Sequence, residues 1–566
     1  MEPLFPAAID AVTEWFDGLG QGTAVRCTER EAGLRRRVWR LNAPVPELEG
    51  TAASLVLLHD FPLSPARIEV DRKLCLRLPH VEADGHLCDG VLPDEGDFDD
   101  PVGGVKRVLA RLNEYLALCQ SPSWVEAEFH RERSDYWKRH AGATKAPAAF
   151  KTSELLLDVD LSGSSVREVP AICLADGCRA LATSGDSEPE KVAKAKGWPV
   201  GTIIRGSAAV FSLPDEERWS PTTWPKSFAQ LNDLLAQLGG KADWLRKWHD
   251  RKWPNKAPLF IVLVQGSVVF GWRVMPSHFG RVDQPVLLPV KVVRVDRCWS
   301  LCRDHNAEAL EGLSGRQVVV FGAGSLGSLV IELLARAGVG KIEVVDPQTF
   351  EAENIARHTL GLPFVGKGKA ASVCARIKQA IPGAELFPYG LDAAAWLAGA
   401  KRQTQPDLVI DCTGEATVRI ATSKLRQGKL KGVPVLMAWM EPGCAAAHVV
   451  VTTGNDEWPA SDPVETAVNI ARWPADLLVQ LPGCGQGFHP YGMADASRAA
   501  GLVAERALAL LQSSRQSSAV WSMVRNRSYF HGVSLAAVFN REPPTEDDVE
   551  STTFRRALTQ VLSNEA

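Results

Sequence analysis

Apolar positions between residues 317 and 346 change period twice, and the changes predict a strand, a helix and a second strand. Residues 318–321 form a continuous apolar run, which is typical of a buried parallel strand. Residues 328–337 repeat apolar side chains at helical spacing and end before Gly338. The second run is Lys341–Val345. This order of elements predicts a parallel α/β unit in the C-terminal half of the chain.

Three glycines follow the first of these strands, and an acid follows the second. Gly322, Gly324 and Gly327 have G-x-G-x-x-G spacing, and Asp346 ends the second run. Glycines let the backbone approach phosphate oxygens, which the amino end of the following helix attracts, and an acid about 20 residues later can bind ribose hydroxyls. The sequence therefore predicts a nucleotide site at this turn.

Polar and basic residues gather just beyond Asp346. The string NIARHTLGLPFVGKGKA contains Asn354, Arg357, His358 and Lys369. A dehydrogenase does not need these side chains beside the phosphates, whereas an enzyme that attacks the α-phosphate of ATP does, because charge builds up on the phosphoryl oxygens. The pattern favours adenylation over hydride transfer.

These motifs resemble the ThiF-type adenylyltransferases, which include the ubiquitin-activating enzymes. The resemblance implies a Rossmann-like fold and the cofactors ATP and Mg²⁺. It also implies that Asp346 binds the ribose, Asn354 and Arg357 bind the phosphates, and Lys369 binds the α-phosphate.

Two further roles that the resemblance implies are harder to place. Where the family reads Asp-x-Thr-Asp, with its last Asp on magnesium, this chain has DCTGE at 411–415. We expect Asp411 to hold the metal, with Glu415 as the alternative. The family also donates an arginine across a dimer to the partner's ATP. Arg303 is our first candidate and Arg297 our second, so we expect a homodimer through the adenylation domain.

Length and charge set the number of domains and exclude several partners. The 566 residues predict about three or four domains, and we place boundaries at 1–125, 126–300 and 301–566. The net charge of −4 and the absence of a long Lys/Arg block argue against a nucleic-acid partner. The N-terminal residues do not resemble a signal peptide, and no run of 18 apolar residues occurs. We expect a soluble, cytoplasmic protein without a membrane partner.

The twelve cysteines are scattered singly, and no C-x-x-C pair occurs. Many ThiF relatives carry two such pairs around a zinc ion. We therefore expect no structural zinc in this chain.

A second motif lies near the N-terminus, in a stretch whose helices and alternating strands predict a small α+β domain. Phe-Pro-x-x-Pro begins at Phe61, and Cys88 follows His80 by eight residues. This spacing resembles ubiquitin-conjugating enzymes and implies that Cys88 carries a thioester. His80 takes the place of the family's oxyanion-stabilising Asn. It can donate one hydrogen bond to that oxyanion or act as a base.

Residues 126–300 predict a mixed α/β domain without a catalytic constellation. Strand-like runs alternate with a helix at 228–238, and residues 184–196 have the composition of a charged, exposed loop. The stretch is rich in tryptophan. We expect a spacer between two active sites, with a partner-binding surface as the alternative.

The candidate thiol of the activating half is Cys484. Its glycine-rich neighbourhood directly precedes a helix predicted at 494–511, and a helix amino end lowers the pKa of a nearby thiol. Cys444 is the second candidate.

The whole chain resembles bacterial fusions of activating and conjugating enzymes. The best-known members, in CBASS anti-phage operons, attach the C terminus of a cGAS-like nucleotidyltransferase to a target amine. The resemblance implies such a nucleotidyltransferase as the partner. Two alternatives stay open, namely a bacterial ubiquitin-like protein as cargo and a non-catalytic, nucleotide-binding scaffold.

Overall fold

The computed structural model describes most of the chain. The residues outside the description are 1–2, 20–23, 29–35, 42–45, 89, 91–93, 145–151, 162–166, 186–187, 202–204, 240–242, 253–257, 276–284, 302–306, 400–404, 475–476, 478, 481–486, 490, 514–515, 533–536, 546–548 and 564–566. The chain divides into two units, one of residues 1–192 and 199–294, the other of 193–198 and 295–566. No helix in the described part is long and apolar enough to cross a membrane.

The first unit begins with a four-stranded antiparallel sheet in the order β1-β2-β3-β4. Val12, Phe16, Trp39, Leu55 and Val108 belong to the buried core that joins this sheet to two of the helices. The elements are α1 (Pro6–Gly18), β1 (Ala24–Arg26), β2 (Arg36–Leu41), β3 (Ser54–Leu58), β4 (Arg67–Glu69), α2 (Pro101–Cys119), α3 (Pro122–Arg131) and α4 (Arg133–Ala143).

A closed barrel of seven strands follows, in the order β10-β11-β5-β7-β6-β8-β9. Closure pairs every strand on both sides, so the barrel leaves no open sheet edge. The elements are β5 (Glu154–Asp158), β6 (Arg167–Cys173), β7 (Arg179–Thr183), α5 (Pro189–Ala195), β8 (Arg205–Ser212), α6 (Phe228–Gln237), α7 (Trp244–Lys252), β9 (Leu259–Gln265), β10 (Val268–Met275) and β11 (Val286–Arg294).

The structure disagrees with two interpretations of this stretch, the alternative of a partner-binding surface and the exposed loop at 184–196. Trp219, Trp224 and Trp248 are buried against the barrel, so the tryptophan density reflects a packed core and does not support a partner-binding surface. The prediction of an exposed loop at 184–196 is wrong for its second half, which forms α5. Glu190 and Ala193 of that helix are buried, and Glu190 accepts a hydrogen bond from Arg205 Nε at 2.9 Å.

The second unit is built on an eight-stranded sheet in the order β14-β13-β12-β15-β16-β17-β21-β23. The first five strands are parallel and the others antiparallel. The strands of the eight-stranded sheet are β12 (Gln317–Phe321), β13 (Lys341–Val345), β14 (Glu385–Tyr389), β15 (Leu408–Asp411), β16 (Val435–Met440), β17 (Ala446–Thr452), β21 (Ala519–Arg525) and β23 (Ser551–Ala557). Two separate two-stranded sheets are formed by β18 (Ala471–Arg472) with β22 (Val538–Phe539) and by β19 (Val479–Gln480) with β20 (Gly487–Phe488).

Helices cover both faces of this sheet. Buried residues of α10, α11 and α14 pack on one face, and those of α12, α13 and α16 pack on the other. The helices are α8 (Arg297–Leu301), α9 (Ala307–Ser314), α10 (Ser325–Arg336), α11 (Lys369–Ala380), α12 (Ala393–Ala398), α13 (Ala416–Leu425), α14 (Met493–Gln512), α15 (Arg527–Gly532) and α16 (Leu558–Ser563).

The strand order places a ligand site at one end of the sheet. Strand β12 lies between β13 and β15. The chain runs from β12 to β13 and β14 on one side of it and then crosses to β15 and β16 on the other side, so the strand order reverses at β12. Ligands of open parallel sheets bind at the carboxyl ends of the strands beside such a switch point. The glycine turn directly follows β12 and therefore lies at this position.

Candidate active sites

The turn after β12 needs glycine at two positions for different reasons. Gly322 has φ = +84°, and a Cβ atom there would lie 3.1 Å from the backbone of Cys412. A Cβ at Gly327 would lie 1.8 Å from the carbonyl oxygen of Gly322. A Cβ at Gly324 would meet no atom within 4 Å, because this glycine faces open space. The turn is packed against the protein at Gly322 and Gly327 and open to a ligand at Gly324.

A cavity of about 400 Å³ opens beside Gly322 and Gly324, at the ends of β12, β13 and β15. Its volume falls within the range of small-molecule sites, roughly 300–1,000 Å³. One part of the wall is apolar and suits a nucleobase, and the other part is polar. The apolar residues are Val345, Pro347, Ala393, Ala394, Leu397, Val418 and Ala421, and the polar ones include Asp346, Gln348, Asp392, Thr413, Glu415 and Thr417.

Asp346 joins the two strands at the base of this cavity. One carboxylate oxygen accepts a hydrogen bond from the Ala323 N–H at 2.7 Å, and the other accepts from the Gln348 N–H at 2.8 Å. The carboxylate therefore fixes the glycine turn as well as lining the cavity.

Lys369 is not itself among the residues that line the cavity, but it contacts Gln348, which is one of them. Its Nζ donates to Gln348 Oε1 at 2.8 Å, and the residue is 7% exposed. Burial lowers the pKa of Lys369, against the opposing effect of the Asp346 charge. A buried ammonium that donates to a neutral amide is well placed for an incoming anion, so the residues present fit a nucleotide phosphate.

Asn354 and Arg357 are not among the residues that line the cavity. Asn354 Oδ1 accepts a hydrogen bond from the Glu351 N–H at 3.1 Å and so closes a short 3-10 turn. The Arg357 guanidinium lies 5.1 Å from the centre of the Tyr491 ring. Contact of either side chain with a phosphate stays a prediction.

His358 supports the glycine turn, a role that the sequence analysis did not assign. Its Nε2 donates to the Ala323 carbonyl oxygen at 2.6 Å, because its Nδ1 accepts from the Leu360 N–H at 3.1 Å. Burial lowers the pKa of His358 to about 4, which keeps this tautomer neutral. The polar residues around His358 in the sequence suggested phosphate contacts, and nothing in them indicated that His358 would hydrogen-bond to the glycine turn.

The two carboxylates considered for magnesium lie in different surroundings. Asp411 is 1% exposed, and its Oδ1 accepts from the Thr413 N–H at 2.9 Å and from Thr413 Oγ1 at 2.6 Å. Glu415 is exposed and lies on the cavity wall. A carboxylate on the wall can hold a cation beside phosphates without rearrangement, so the geometry favours Glu415 over Asp411.

For the trans-acting arginine and for the activating thiol, the structure describes only the second of the two candidates. Arg303 and Cys484 lie outside the described residues. Arg297 donates to the Gly338 carbonyl oxygen at the far end of α10 from the glycine turn. Cys444 is 3% exposed, and burial raises the pKa of its thiol to about 12. A thiol in this state is a poor nucleophile, so the structure disfavours Cys444.

A second cavity, of about 350 Å³, contains the N-terminal motif. Cys88 is exposed and lines it together with His80, and the Cys88 N–H donates to the His80 carbonyl oxygen at 2.8 Å. His80 has φ = +64°, a conformation uncommon outside glycine, and its N–H donates to Tyr136 Oη at 2.7 Å. The backbone around His80 and Cys88 is thus held in one arrangement.

Two carboxylates contact the His80 ring from both sides. Nε2 lies 3.2 Å from Glu128 Oε2, and Nδ1 lies 3.4 Å from Glu132 Oε2. These residues belong to α3 and to the link before α4, in the stretch 126–300 that we expected to hold no catalytic constellation. The structure instead places the start of this stretch on the wall of the Cys88 cavity, so residues 126–132 become candidates for a role at this site. No local signal could have shown a contact that spans 48 residues.

Family comparisons match both sites. Residues 300–450 match the ThiF family, and residues 26–145 match the prokaryotic E2 family B. The chain therefore joins an E2-like domain to a ThiF-type adenylation domain, which confirms the predicted fold class and class of enzyme. In that class, ATP-dependent adenylation is joined to ubiquitin-like conjugation.

Several curated proteins are similar to this chain. The ATP-dependent ubiquitin transferase-like protein Cap2 of Pseudomonas aeruginosa is 26% identical over 416 residues, which cover 69% of this chain and 71% of that protein. The Cap2 of Enterobacter hormaechei is 28% identical, covering 32% of each chain. Adenylyltransferase and sulfurtransferase UBA4 of Candida albicans is 36% identical, covering 26% of this chain and 34% of that protein.

Proposed function

We propose that this enzyme activates the C-terminal carboxylate of a protein with ATP and attaches that protein to an amine. The observation that supports this most directly is that one chain holds a nucleotide-sized cavity at a glycine turn and an exposed cysteine in a second cavity beside His80. A free carboxylate does not react with amines, so it must first become an acyl-adenylate and then a thioester.

The residues of the first cavity have separate tasks in this scheme. Gly322, Gly324 and the amino end of α10 receive the phosphates, and Asp346 holds the ribose. Lys369 balances the charge that grows on the α-phosphate. ATP supplies the leaving group, pyrophosphate, and Mg²⁺ neutralises the phosphates when bound, with Glu415 or Asp411 as its protein ligand.

The acyl group then passes to cysteine. Cys484 attacks the adenylate, AMP leaves, and Cys88 receives the acyl group by thioester exchange before an amine attacks it. Carrying both thiols on one chain makes the second transfer intramolecular, which raises the effective concentration of the acceptor thiol. Arg303 completes the adenylation site from the partner of a homodimer.

Our choice of cargo is supported by a similar protein. The similarity to Cap2 over 69% of this chain supports the resemblance to the CBASS enzymes, and we take the cargo to be a cGAS-like nucleotidyltransferase in anti-phage defence. A ubiquitin-like protein with an exposed C-terminal tail would undergo the same chemistry. A non-catalytic scaffold would not need a buried Lys369 beside the cavity together with an exposed Cys88.

A non-reducing gel of the protein with Mg²⁺, ATP and the product of the neighbouring gene tests the scheme. The wild type should form a reductant-sensitive adduct, Cys484→Ala should form none, and Cys88→Ala should keep the adduct on Cys484. An adduct that persists in Cys484→Ala would refute the relay.

Dimerisation has its own test. Light scattering should give twice the chain mass, and a mixture of Arg303→Ala and Lys369→Ala proteins should regain part of the adenylation activity that each lacks. A monomer that remains fully active would refute the trans-acting arginine.

A further inference from the structure

The His80 ring has two neighbours that are held to different degrees. Glu128 Oε2, which faces Nε2, also accepts from Arg131 Nε at 2.9 Å and from Arg131 Nη2 at 2.6 Å. The Glu128 side chain is 15% exposed, whereas that of Glu132 is 29% exposed. Glu128 is therefore clamped in place against the imidazole.

The charge state of Glu128 agrees with this clamp. Burial alone would raise its pKa, but the hydrogen bond and charge of Arg131, with a contribution from His80, hold the pKa of Glu128 below its usual range. The carboxylate is ionised at neutral pH and acts as an acceptor only. A nitrogen that faces it must carry a proton, so the Glu128 contact keeps the proton of His80 on Nε2.

The contact on the other ring nitrogen is looser. Nδ1 lies 3.4 Å from Glu132 Oε2, which also accepts a hydrogen bond from Tyr136 Oη at 3.3 Å. Arg131 Nη2 also donates to Glu132 Oε1 at 3.0 Å, but Glu132 is the more exposed of the two carboxylates and lies farther from the ring. Because this contact is the longer of the two, Nδ1 is the ring nitrogen that can exchange its neighbour for a proton donor, and His80 lines the same cavity as Cys88.

We propose that Glu128 is a positioning residue that fixes the tautomer and orientation of His80, and that His80 Nδ1 takes the proton of the amine that attacks the Cys88 thioester. The inference rests on the proposed function in taking Cys88 as the thioester carrier. In this step the amine nitrogen bonds to the thioester carbonyl carbon and the carbon–sulfur bond breaks. The amine proton passes to Nδ1, and the Cys88 sulfur leaves as a thiolate.

The test loads Cys88 chemically, so that it does not depend on ATP or on the cargo. The full-length protein exchanges thiol with the acetyl-glycylglycine thioester of mercaptoethanesulfonate, and mass spectrometry of the Cys88 peptide follows the loss of the acyl group. Added amines are Nα-acetyl-lysine amide, which must lose a proton, and hydroxylamine, which is largely neutral at pH 7 and attacks with little help from a base.

Glu128→Gln should slow discharge to the lysine analogue by roughly 10- to 100-fold and leave discharge to hydroxylamine near the wild-type rate. The matched control is Glu126→Gln, an identical change on α3. Glu126 accepts a hydrogen bond from Thr222 Oγ1 at 2.9 Å and is not among the cavity residues, so this variant should discharge at the wild-type rate.

A double-mutant cycle shows whether Glu128 acts through His80. His80→Asn retains a hydrogen-bond donor but has no base, so adding Glu128→Gln to it should cause no further loss. Wild-type discharge in Glu128→Gln, equal slowing with both amines, or a further loss in the double variant would overturn the inference. A larger loss in Glu132→Gln than in Glu128→Gln would also overturn it. None of these outcomes bears on ATP-dependent activation, whose failure would appear only in the gel experiment.

Discussion

Replacing Asp411 with asparagine should stabilise the second unit at neutral pH. The carboxyl group lies at the end of β15 and is 1% exposed, and burial raises its pKa to about 6 despite the hydrogen bonds from Thr413. In the unfolded chain the pKa of an aspartate is about 3.9. Asparagine keeps the oxygen that accepts from Thr413 and removes the buried charge.

The size and pH dependence follow from this difference in pKa. A pKa that is raised in the folded state means that ionisation destabilises the fold. The penalty is fully present above pH 6 and disappears as the pH falls towards the unfolded value. Since one pKa unit corresponds to about 1.4 kcal/mol, the variant should gain about 3 kcal/mol at pH 8 and about half of that at pH 5.

Hydrogen exchange measured by mass spectrometry can report on this unit within the intact protein. Peptides from β12, β15 and β16 should exchange roughly 100-fold more slowly in Asp411→Asn than in the wild type at pH 8, and roughly 10-fold more slowly at pH 5. Asp456→Asn, at an exposed position, is the control and should change neither value. An equal gain at both pH values, or a loss of protection at pH 8, would refute the reasoning.

Three further outcomes check the roles of individual side chains. Lys369→Ala should reduce ATP–pyrophosphate exchange by at least about 100-fold because the α-phosphate loses its cation, while Cys88→Ala leaves exchange intact; equal losses would contradict the order of steps. At pH 8 iodoacetamide should modify Cys88 and leave Cys444 unmodified, since burial raises the pKa of Cys444 to about 12; rapid labelling of Cys444 would restore it as a candidate thiol. Glu415→Gln should raise the Mg²⁺ concentration for half-maximal exchange by roughly tenfold; an unchanged Mg²⁺ requirement would point to Asp411.

The parts of the fold that depend on neighbouring residues could be predicted well. Strand β12, the glycine turn and helix α10 were predicted because each depends on a pattern of nearby residues: a continuous apolar run, the spacing of three glycines and a helical repeat of apolar positions. The position of Asp346 at the end of β13 followed in the same way.

Predictions that depend on burial were less successful. Tryptophans such as Trp219 and Trp248 have the same local signature on a partner surface as in a core, and only the barrel packed beneath them shows that they are buried. Helix α5 was missed because its charged composition hides Glu190 and Ala193, which are buried.

The sequence by itself predicted the two classes of chemistry, because the glycine turn and the segment from Phe61 to Cys88, which carry the family resemblances, are short motifs of nearby residues. Tertiary structure decided which side chains surround these motifs. It placed Glu128 and Glu132 on His80, put His358 beneath the glycine turn, and separated the buried Asp411 from the exposed Glu415. Such contacts join positions far apart in sequence, and their strength depends on burial and on a third residue such as Arg131. These properties exist only once the chain has folded.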